Sequence, residues 1–358
     1  MTLRMTDRHR ALTAPREDRM FDIDIVVLWV DGSDPEWLRE KNRYMHAKVE
    51  QSVNGSNRFR DWDLMHYWFR AVDKYMPWIR NIHFVTWGHL PKFLNTEHPK
   101  LHIVNHTDFM PEGSLPTFSS TALEINIHRI SGLAEHFIYF NDDLFPVRPL
   151  RPDDFFDLKT GLPRYRYLEI PLRFVGTPTW EYTAANNMGI LNKHFNKKAV
   201  PLTAYPGKYL SRRYGLKANL RSLAAKLVYP EYYVGLKTYH GTSAFLRSTF
   251  EELWEREGEM LMQQTHRRFR DQKEVNQWLF VWWQLLSGNF APGKDLNMLF
   301  LASAESIDTI RDVIMNRKAG TVCINDPDSE DEEEISYLAS RIREAFESVL
   351  PDRSGFEK

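Results

Sequence analysis

The chain has 358 residues, a formal net charge of −1, a hydrophobic share of 42% and an aromatic share of 13%. This allows one large domain or two modest ones with a substantial core, and the balanced charge excludes nucleic-acid binding driven by a global positive field. The single cysteine, Cys323, excludes an internal disulfide framework, and no stretch approaches the roughly 20 apolar residues of a membrane span, so a soluble cytoplasmic chain is expected.

Residues 1–20 are polar without periodicity, the pattern of a mobile arm. "IDIVVLWV" (23–30) is a continuous β-branched run, as in a strand buried on both faces. It ends at the turn signal "DGSDP", and a helix is predicted from Pro35 onward. A second helix is predicted over 63–78, then strands over 81–87 and 101–106. "SSTALEINIHRISGL" (119–133) reads as one helix entered through serines and left through Gly132, followed by the strand "FIYFNDD". This alternation predicts an α/β fold with a mainly parallel sheet and helices on both faces.

From about 160 to 235 the pattern is less regular, and Lys193 to Lys226 holds nine Lys/Arg residues and no Asp or Glu. Helices are then predicted over 249–264, 273–288 and 305–317, with Trp282 and Trp283 as core residues. A short strand "GTVCI" (320–324) and a final amphipathic helix (335–349) close the chain. The acidic run "DPDSEDEEE" between them suits a solvated helix start.

In open α/β sheets, ligands sit outside the carboxyl ends of the strands. "VDGSDP" and "NDD" both follow strands, so Asp31, Asp34, Asp142 and Asp143 are candidates to face one crevice. Converging carboxylates suit a hard cation and hence a phosphate-bearing substrate; singly, each also suits a turn or a cap. Glu124 and His128, four apart with Arg129 beside them, would share a helix face, where the Glu can orient the imidazole. Arg60 and Arg70 flank a helix start, where most arginines are ordinary surface charges. His240, Arg247, His266, Arg268 and Arg270 form a later basic cluster, read either as a diphosphate clamp or as a basic patch at a helix end.

The blocks around these residues resemble one family. "IDIVVLWVDGSDP" looks like the first signature block of the Stealth family of sugar-phosphate transferases. The stretch from "RFRDWDLMHYWFRAV" through "LPTFSSTALEINIHRISGLAEHFIYFNDDLF" is similar to its long second block. "YHGTSAFLRSTFEELWE" with "HRRFRDQKEVNQWLFVWWQLLSG" resembles the third, and "GTVCINDPD" the short fourth. The resemblance implies a Rossmann-like, GT-A-type nucleotide-diphospho-sugar transferase fold over 21–328, with a basic insertion at about 160–235 and an acidic run and helix over 329–358.

It also implies a reaction. An acceptor sugar hydroxyl attacks the phosphorus nearest the sugar in a UDP-sugar, UMP leaves, and a sugar-1-phosphate joins the acceptor through a phosphodiester, as in capsule or exopolysaccharide synthesis. Mg²⁺ or Mn²⁺ is the implied cofactor. Carried over by position, Trp29, Asp31, Gly32 and Asp34 would hold the nucleotide, with Arg70, Glu124, His128, Arg129 and Asn141 building the walls. Asp142 and Asp143 match the acidic motif, one toward the metal and one toward the acceptor's proton. His240 and Arg270 match positions at the transferred phosphate, and Asn325 and Asp326 bring a distant carboxylate back to the metal. Trp87 and Pro327 depart from the polar residues often found at their positions in the family.

The basic stretch lies between the second and third blocks. Lys197, Lys198, Arg212 and Arg213 would grip an anionic acceptor or touch anionic lipid near membrane-bound assembly machinery; a plain solvated loop is the third reading. Two other functions stay open at this point: a conventional glycosyltransferase on the same fold, and a non-catalytic polysaccharide-binding protein.

Overall fold

A computed structural model describes residues 21–45, 62–173, 179–198, 207–237, 240–327, 329 and 331–358. The expected N-terminal arm, Arg60, and the continuation of the first helix beyond Met45 lie outside these residues. The central sheet is built from β1 (Ile23–Leu28), β2 (Ile82–Thr86), β3 (Leu101–Asn105), β4 (His136–Asn141) and β7 (Ser243–Leu246), in the order β3-β2-β1-β4-β7. All neighbours are parallel except β7, which runs antiparallel to β4.

The unbroken apolar runs are explained by what lies on each face. In β1, Ile23, Ile25 and Val27 point into one core, while Val26 and Leu28 point into a second. In β4, Ile138 and Phe140 join the first core, and Phe137 and Tyr139 the second. Each such side chain contributes about 1.5–3 kcal/mol on full burial, which is why period-two alternation is absent from these strands. The first core is covered by α2 (Met65–Tyr75), α8 (Ile307–Met315) and α9 (Glu332–Val349), and the second by α6 (Arg247–Thr265) and α7 (Gln277–Leu286). Trp282 and Trp283 are buried in the second core, as expected from their setting.

Asp24 is the polar exception inside β1. Its carboxylate accepts from Arg80 Nε at 2.8 Å and Nη2 at 2.6 Å, and from the Ala134 amide at 2.8 Å, with His83 Nε2 at 3.1 Å. Burial alone would raise its pKa, but these partners outweigh burial and bring it down to about 2. The ion network pins the start of β1 to β2 and to the chain entering β4.

A second sheet, β5-β10-β9, joins β5 (Leu144–Pro146) to β10 (Thr321–Asn325) and β9 (Asn297–Leu301). Two-residue strands β6 (Arg164–Tyr165) and β8 (Ala291–Pro292) form a third pairing. The residues beyond 328 are part of the first core: Leu338, Ile342 and Phe346 of α9 are fully buried, and Asp331 caps the helix ahead of Glu332, Glu333 and Glu334.

The sequence pattern misses most in two places. "SSTALEINIHRISGL" is not one helix: α3 (Ser120–Glu124) stops and a separate 3₁₀ turn spans Ile127–Arg129. The irregular middle contains two regular helices, α4 (Thr179–His194) and α5 (Leu216–Val228). Among the described residues, no helix is long and apolar enough to cross a membrane.

Candidate active site at the sheet switch point

The chain lays down β1, β2 and β3 toward one edge and then crosses to β4 on the other side of β1. The strand order therefore reverses between β1 and β4, where α/β sheets open a crevice. Leu28 and Asn141, the last residues of these strands, are register partners. "VDGSDP" and "NDD" thus emerge side by side. β7 runs antiparallel to β4, and Ser243 pairs with Tyr139, so His240, just ahead of β7, reaches the same end of the sheet. β10 lies antiparallel to β5 with Cys323 opposite Leu144, and the Ile324 amide donates to the Asp143 carbonyl at 3.0 Å. Four segments distant in sequence converge here.

At their meeting point, Cys323 Sγ donates to Asp143 Oδ2 at 3.2 Å, and His240 Nε2 lies 3.9 Å from the same oxygen. Burial disfavours the imidazolium of His240, but the carboxylates of Asp143 and Glu124 more than offset it, and its pKa lies above the ordinary value. Burial, reinforced by the charges of Asp143 and Asp142, holds the Cys323 thiol far above its ordinary range. Gly241 permits a close approach here: a Cβ would stand 2.0 Å from the Asn297 side chain, whose Oδ1 accepts from the Thr242 amide at 3.3 Å.

Glu124 is fully buried behind this group. Its carboxylate accepts from the Tyr139 hydroxyl at 3.3 Å and the Gln277 amide at 3.2 Å. Burial pushes its pKa up, while the Gln277 amide, Arg270, Tyr139 and His240 pull the other way. Arg270 donates to Ser120 Oγ at 2.6 Å at the start of α3. Arg270, Glu124, His240 and Asp143 form a series of alternating charge across the crevice.

The other expected residues are placed as follows. Asp142 is exposed beside Asp143, and Asn141 ends β4. Asp31 Oδ1 accepts from the Ser33 amide at 2.9 Å and its hydroxyl at 2.6 Å across the turn containing Gly32. Asp34 caps α1 (Pro35–Tyr44), accepting from the Glu36 and Trp37 amides. Trp29 is buried against Phe84 and His89.

Arg70 and the pair His128–Arg129 are engaged away from this cluster. Arg70 donates through Nε and Nη2 to both oxygens of Glu357 at 2.9 Å, and through Nη1 to the Leu350 carbonyl at 2.9 Å, tying α2 to the C-terminus. With the helix broken after Glu124, His128 lies 5.9 Å from the Phe250 ring and 5.7 Å from that of Trp254, and burial pushes its pKa down to about 3. The Arg129 guanidinium stacks over Trp254 at 4.4 Å. The basic cluster around Arg270 also disperses: Arg247 pairs with Glu251 at 3.4 Å, His266 turns to the Met262 carbonyl, and Arg268 stacks over Tyr44.

Nor is the basic middle stretch a uniform face. Lys197 is buried, paired with Glu169, and donates to the Ala225 and Tyr232 carbonyls at 3.2 Å. Lys198 pairs with Glu231 at 2.6 Å on the surface, while Arg212 and Arg213 are exposed in a 3₁₀ turn.

Three neighbours escape a reading by motif. His89 Nε2 accepts the Asp31 amide at 2.8 Å; its position just after β2, next to β1, was the available signal. Glu274 is buried with its carboxylate accepting from Thr121, and burial pushes its pKa up to about 7. Cys323 was legible only as the residue preceding "IND".

The donor chemistry suits a cation. Asp143 Oδ1 is buried and, among the described residues, receives no hydrogen bond, a costly state for a carboxylate oxygen unless a cation or water meets it. Asp143, His240 and Cys323 offer ligand atoms within 4.8 Å of one another. Asp142 and Asp326, the ligands expected from sequence, lie on the two adjoining loops, outside that closest group. A cavity of about 50 Å³ near Thr242 and Trp278 is too small for a nucleotide-sugar.

A doubly covered α/β sheet with this charged cluster at its switch point defines an α/β protein with a candidate active site. The family descriptions Stealth protein conserved region 1 and conserved region 2 match residues 21–49 and 58–163. The capsular polysaccharide phosphotransferase WcwK of Streptococcus pneumoniae is 38% identical over 345 residues, covering 94% of this chain and 99% of that protein. The exopolysaccharide phosphotransferase cps2G of Lactiplantibacillus plantarum is 36% identical, covering 94% and 97%. Among solved structures, the galactosyltransferase LgtC overlaps 93% of this chain and 98% of its own at 10% identity, with a TM-score of 0.37, too low to carry an argument. The chain belongs to the Stealth family and is a phosphotransferase.

Proposed function

We propose that this enzyme transfers a hexose-1-phosphate or N-acetylhexosamine-1-phosphate from a UDP-sugar to a sugar hydroxyl of a growing capsular or exopolysaccharide. The observation that carries this reading is the convergence of Asp142, Asp143, His240, Glu124 and Arg270 where β1 and β4 end. Phosphoryl transfer asks a protein mainly for positioning and for neutralisation of charge on phosphate oxygens, and this alternating series offers both.

In this reading the acceptor oxygen forms a bond to the phosphorus nearest the donor sugar. The bond from that phosphorus to the bridging oxygen breaks, and UMP leaves with the bridging oxygen. Asp142, exposed at the crevice, accepts the acceptor's proton. Asp143 holds His240 in position, and the cationic imidazole and Arg270 face the phosphate oxygens. Asp31 and Gly32, in the turn after β1, would contact the nucleotide. Asp143 with Asp326 would hold Mg²⁺ or Mn²⁺, hard cations that favour oxygen donors. When bound, such an ion would neutralise diphosphate charge.

The test is a panel of UDP-sugars with Mg²⁺ and an oligosaccharide acceptor, scored for the released nucleotide. UMP release supports sugar-phosphate transfer. UDP release would assign a conventional glycosyltransferase, and binding without any nucleotide release a non-catalytic module.

A further inference from the structure

Helix α5 carries its leucines outward. Leu216, Leu220, Leu223 and Leu227 recur at i, i+4, i+7 and i+11, which is one stripe of an α-helix. They are 75%, 55%, 39% and 73% exposed, and Val228 beside them is 65% exposed. The buried positions, Ala218, Ser222 and Ala225, lie roughly opposite that stripe at about 100° per residue. They seat the helix on the protein: Ser222 Oγ accepts from the Glu169 amide at 3.2 Å, and Ala218 joins the second core beside Tyr214. A surface helix ordinarily turns its leucines to the core and its small or polar residues to water. Here the order is inverted, and a contiguous exposed apolar face of this kind marks an interaction surface.

The charges around the stripe select the partner. Lys217 and Arg221 are exposed on one flank, and Arg212 and Arg213 are exposed in the turn just ahead of the helix. Lys193 through Lys226 contains no acid, and the nearest carboxylate after it, Glu231, is paired with Lys198. Tyr232, 51% exposed, follows the helix, and an amphipathic tyrosine suits a boundary between apolar and wet layers. Protein interfaces deplete lysine at their core, whereas a bilayer leaflet rich in anionic lipid offers phosphate at the rim and hydrocarbon beneath. We propose that α5 docks this enzyme onto the anionic surface of a lipid bilayer, lying in the interface with its leucines in the acyl layer and its Lys/Arg flank among the headgroups.

This inference does not depend on the reaction proposed above. It is tested by flotation of the full chain with vesicles of phosphatidylcholine alone and with vesicles containing phosphatidylglycerol, at low and high salt. The expected result is binding to the anionic vesicles that weakens with salt and is much poorer on phosphatidylcholine. Leu220→Ser with Leu227→Ser, and separately Lys217→Glu with Arg221→Glu, should each weaken it about tenfold or more. All four positions are exposed, so the unfolding midpoint and nucleotide release with a soluble acceptor should stay at the wild-type level. Failure of the wild-type chain to float, or binding indifferent to both double variants, overturns the proposal. So does light scattering that shows a dimer dissociated by the leucine changes, since a second copy would then cover the stripe.

Discussion

Asp143 and Cys323 stand 180 residues apart in the chain, yet the thiol donates to the carboxylate at 3.2 Å. The contact exists because β10 lies antiparallel along β5, which begins one residue after Asp143. Asp143 is thereby held from two sides, by Cys323 and by His240, while Asp142 next to it is exposed.

This asymmetry predicts different kinetics for the two acids. Asp142→Asn should lower kcat by about 10²–10⁴-fold, the usual contribution of a general base, with the Mg²⁺ concentration for half-maximal rate unchanged. Asp143→Asn should lower kcat and also raise that concentration. Steady-state rates across a Mg²⁺ titration check the pair; undiminished activity in Asp142→Asn removes Asp142 from the mechanism.

Gly241 predicts a positional effect. Its Cβ would meet the Asn297 side chain, which is held by Thr242 and Thr321, so the segment carrying His240 must shift to make room. Gly241→Ala should cost on the order of 10²-fold in kcat, the scale set by misplacing a reacting group by about 1 Å. Pairing it with Asn297→Ala should restore part of the loss. An alanine variant with wild-type kcat would show that His240 does not depend on this contact.

Arg70 separates a structural from a donor-binding role. Arg70→Met leaves the Glu357 carboxylate, whose side chain is only 5% exposed, without its bidentate partner. Breaking a buried pair from one side costs about 3–5 kcal/mol, so the denaturant midpoint should fall clearly while KM for the donor stays put. A raised donor KM with unchanged stability would return Arg70 to the donor site.

Asp24 gives the fold a pH signature. A carboxyl held at about 2 rather than 3.8 contributes about 2.5 kcal/mol. Because its pKa is lowered on folding, that stability is fully present above the unfolded-state value and is lost as pH falls from near 4 through about 2. Unfolding free energy followed from pH 7 downward should show this decline in the wild type. Asp24→Asn should begin less stable at pH 7 and decline less steeply, and parallel curves would contradict the assignment.

Much of this was legible in the sequence because it is local. Continuous apolar runs announced β1 and β4, and the acids closing them announced the crevice, since a strand end facing a switch point needs only its own residues to be recognised. What was hidden depends on pairing at a distance. The expected Glu124–His128 face required one unbroken helix, but the chain leaves α3 after Glu124, and Glu124 is satisfied by Tyr139 and Gln277 instead. Taken singly, Asp34 suits a cap better than a ligand, and hydrogen bonds from the Glu36 and Trp37 amides show the cap. Lys197 counted as one more positive charge until Glu169 and two carbonyls buried it. The inverted polarity of α5 was invisible because a leucine stripe reads the same whether it faces the core or water.

The crevice is proposed to transfer a sugar together with its phosphate. Phosphorus NMR of the purified product, made from a UDP-sugar that the enzyme turns over, tests it most directly. Sugar-phosphate transfer should give a phosphodiester resonance coupled to the anomeric proton of the transferred sugar. A product that contains the sugar but no phosphorus would contradict it.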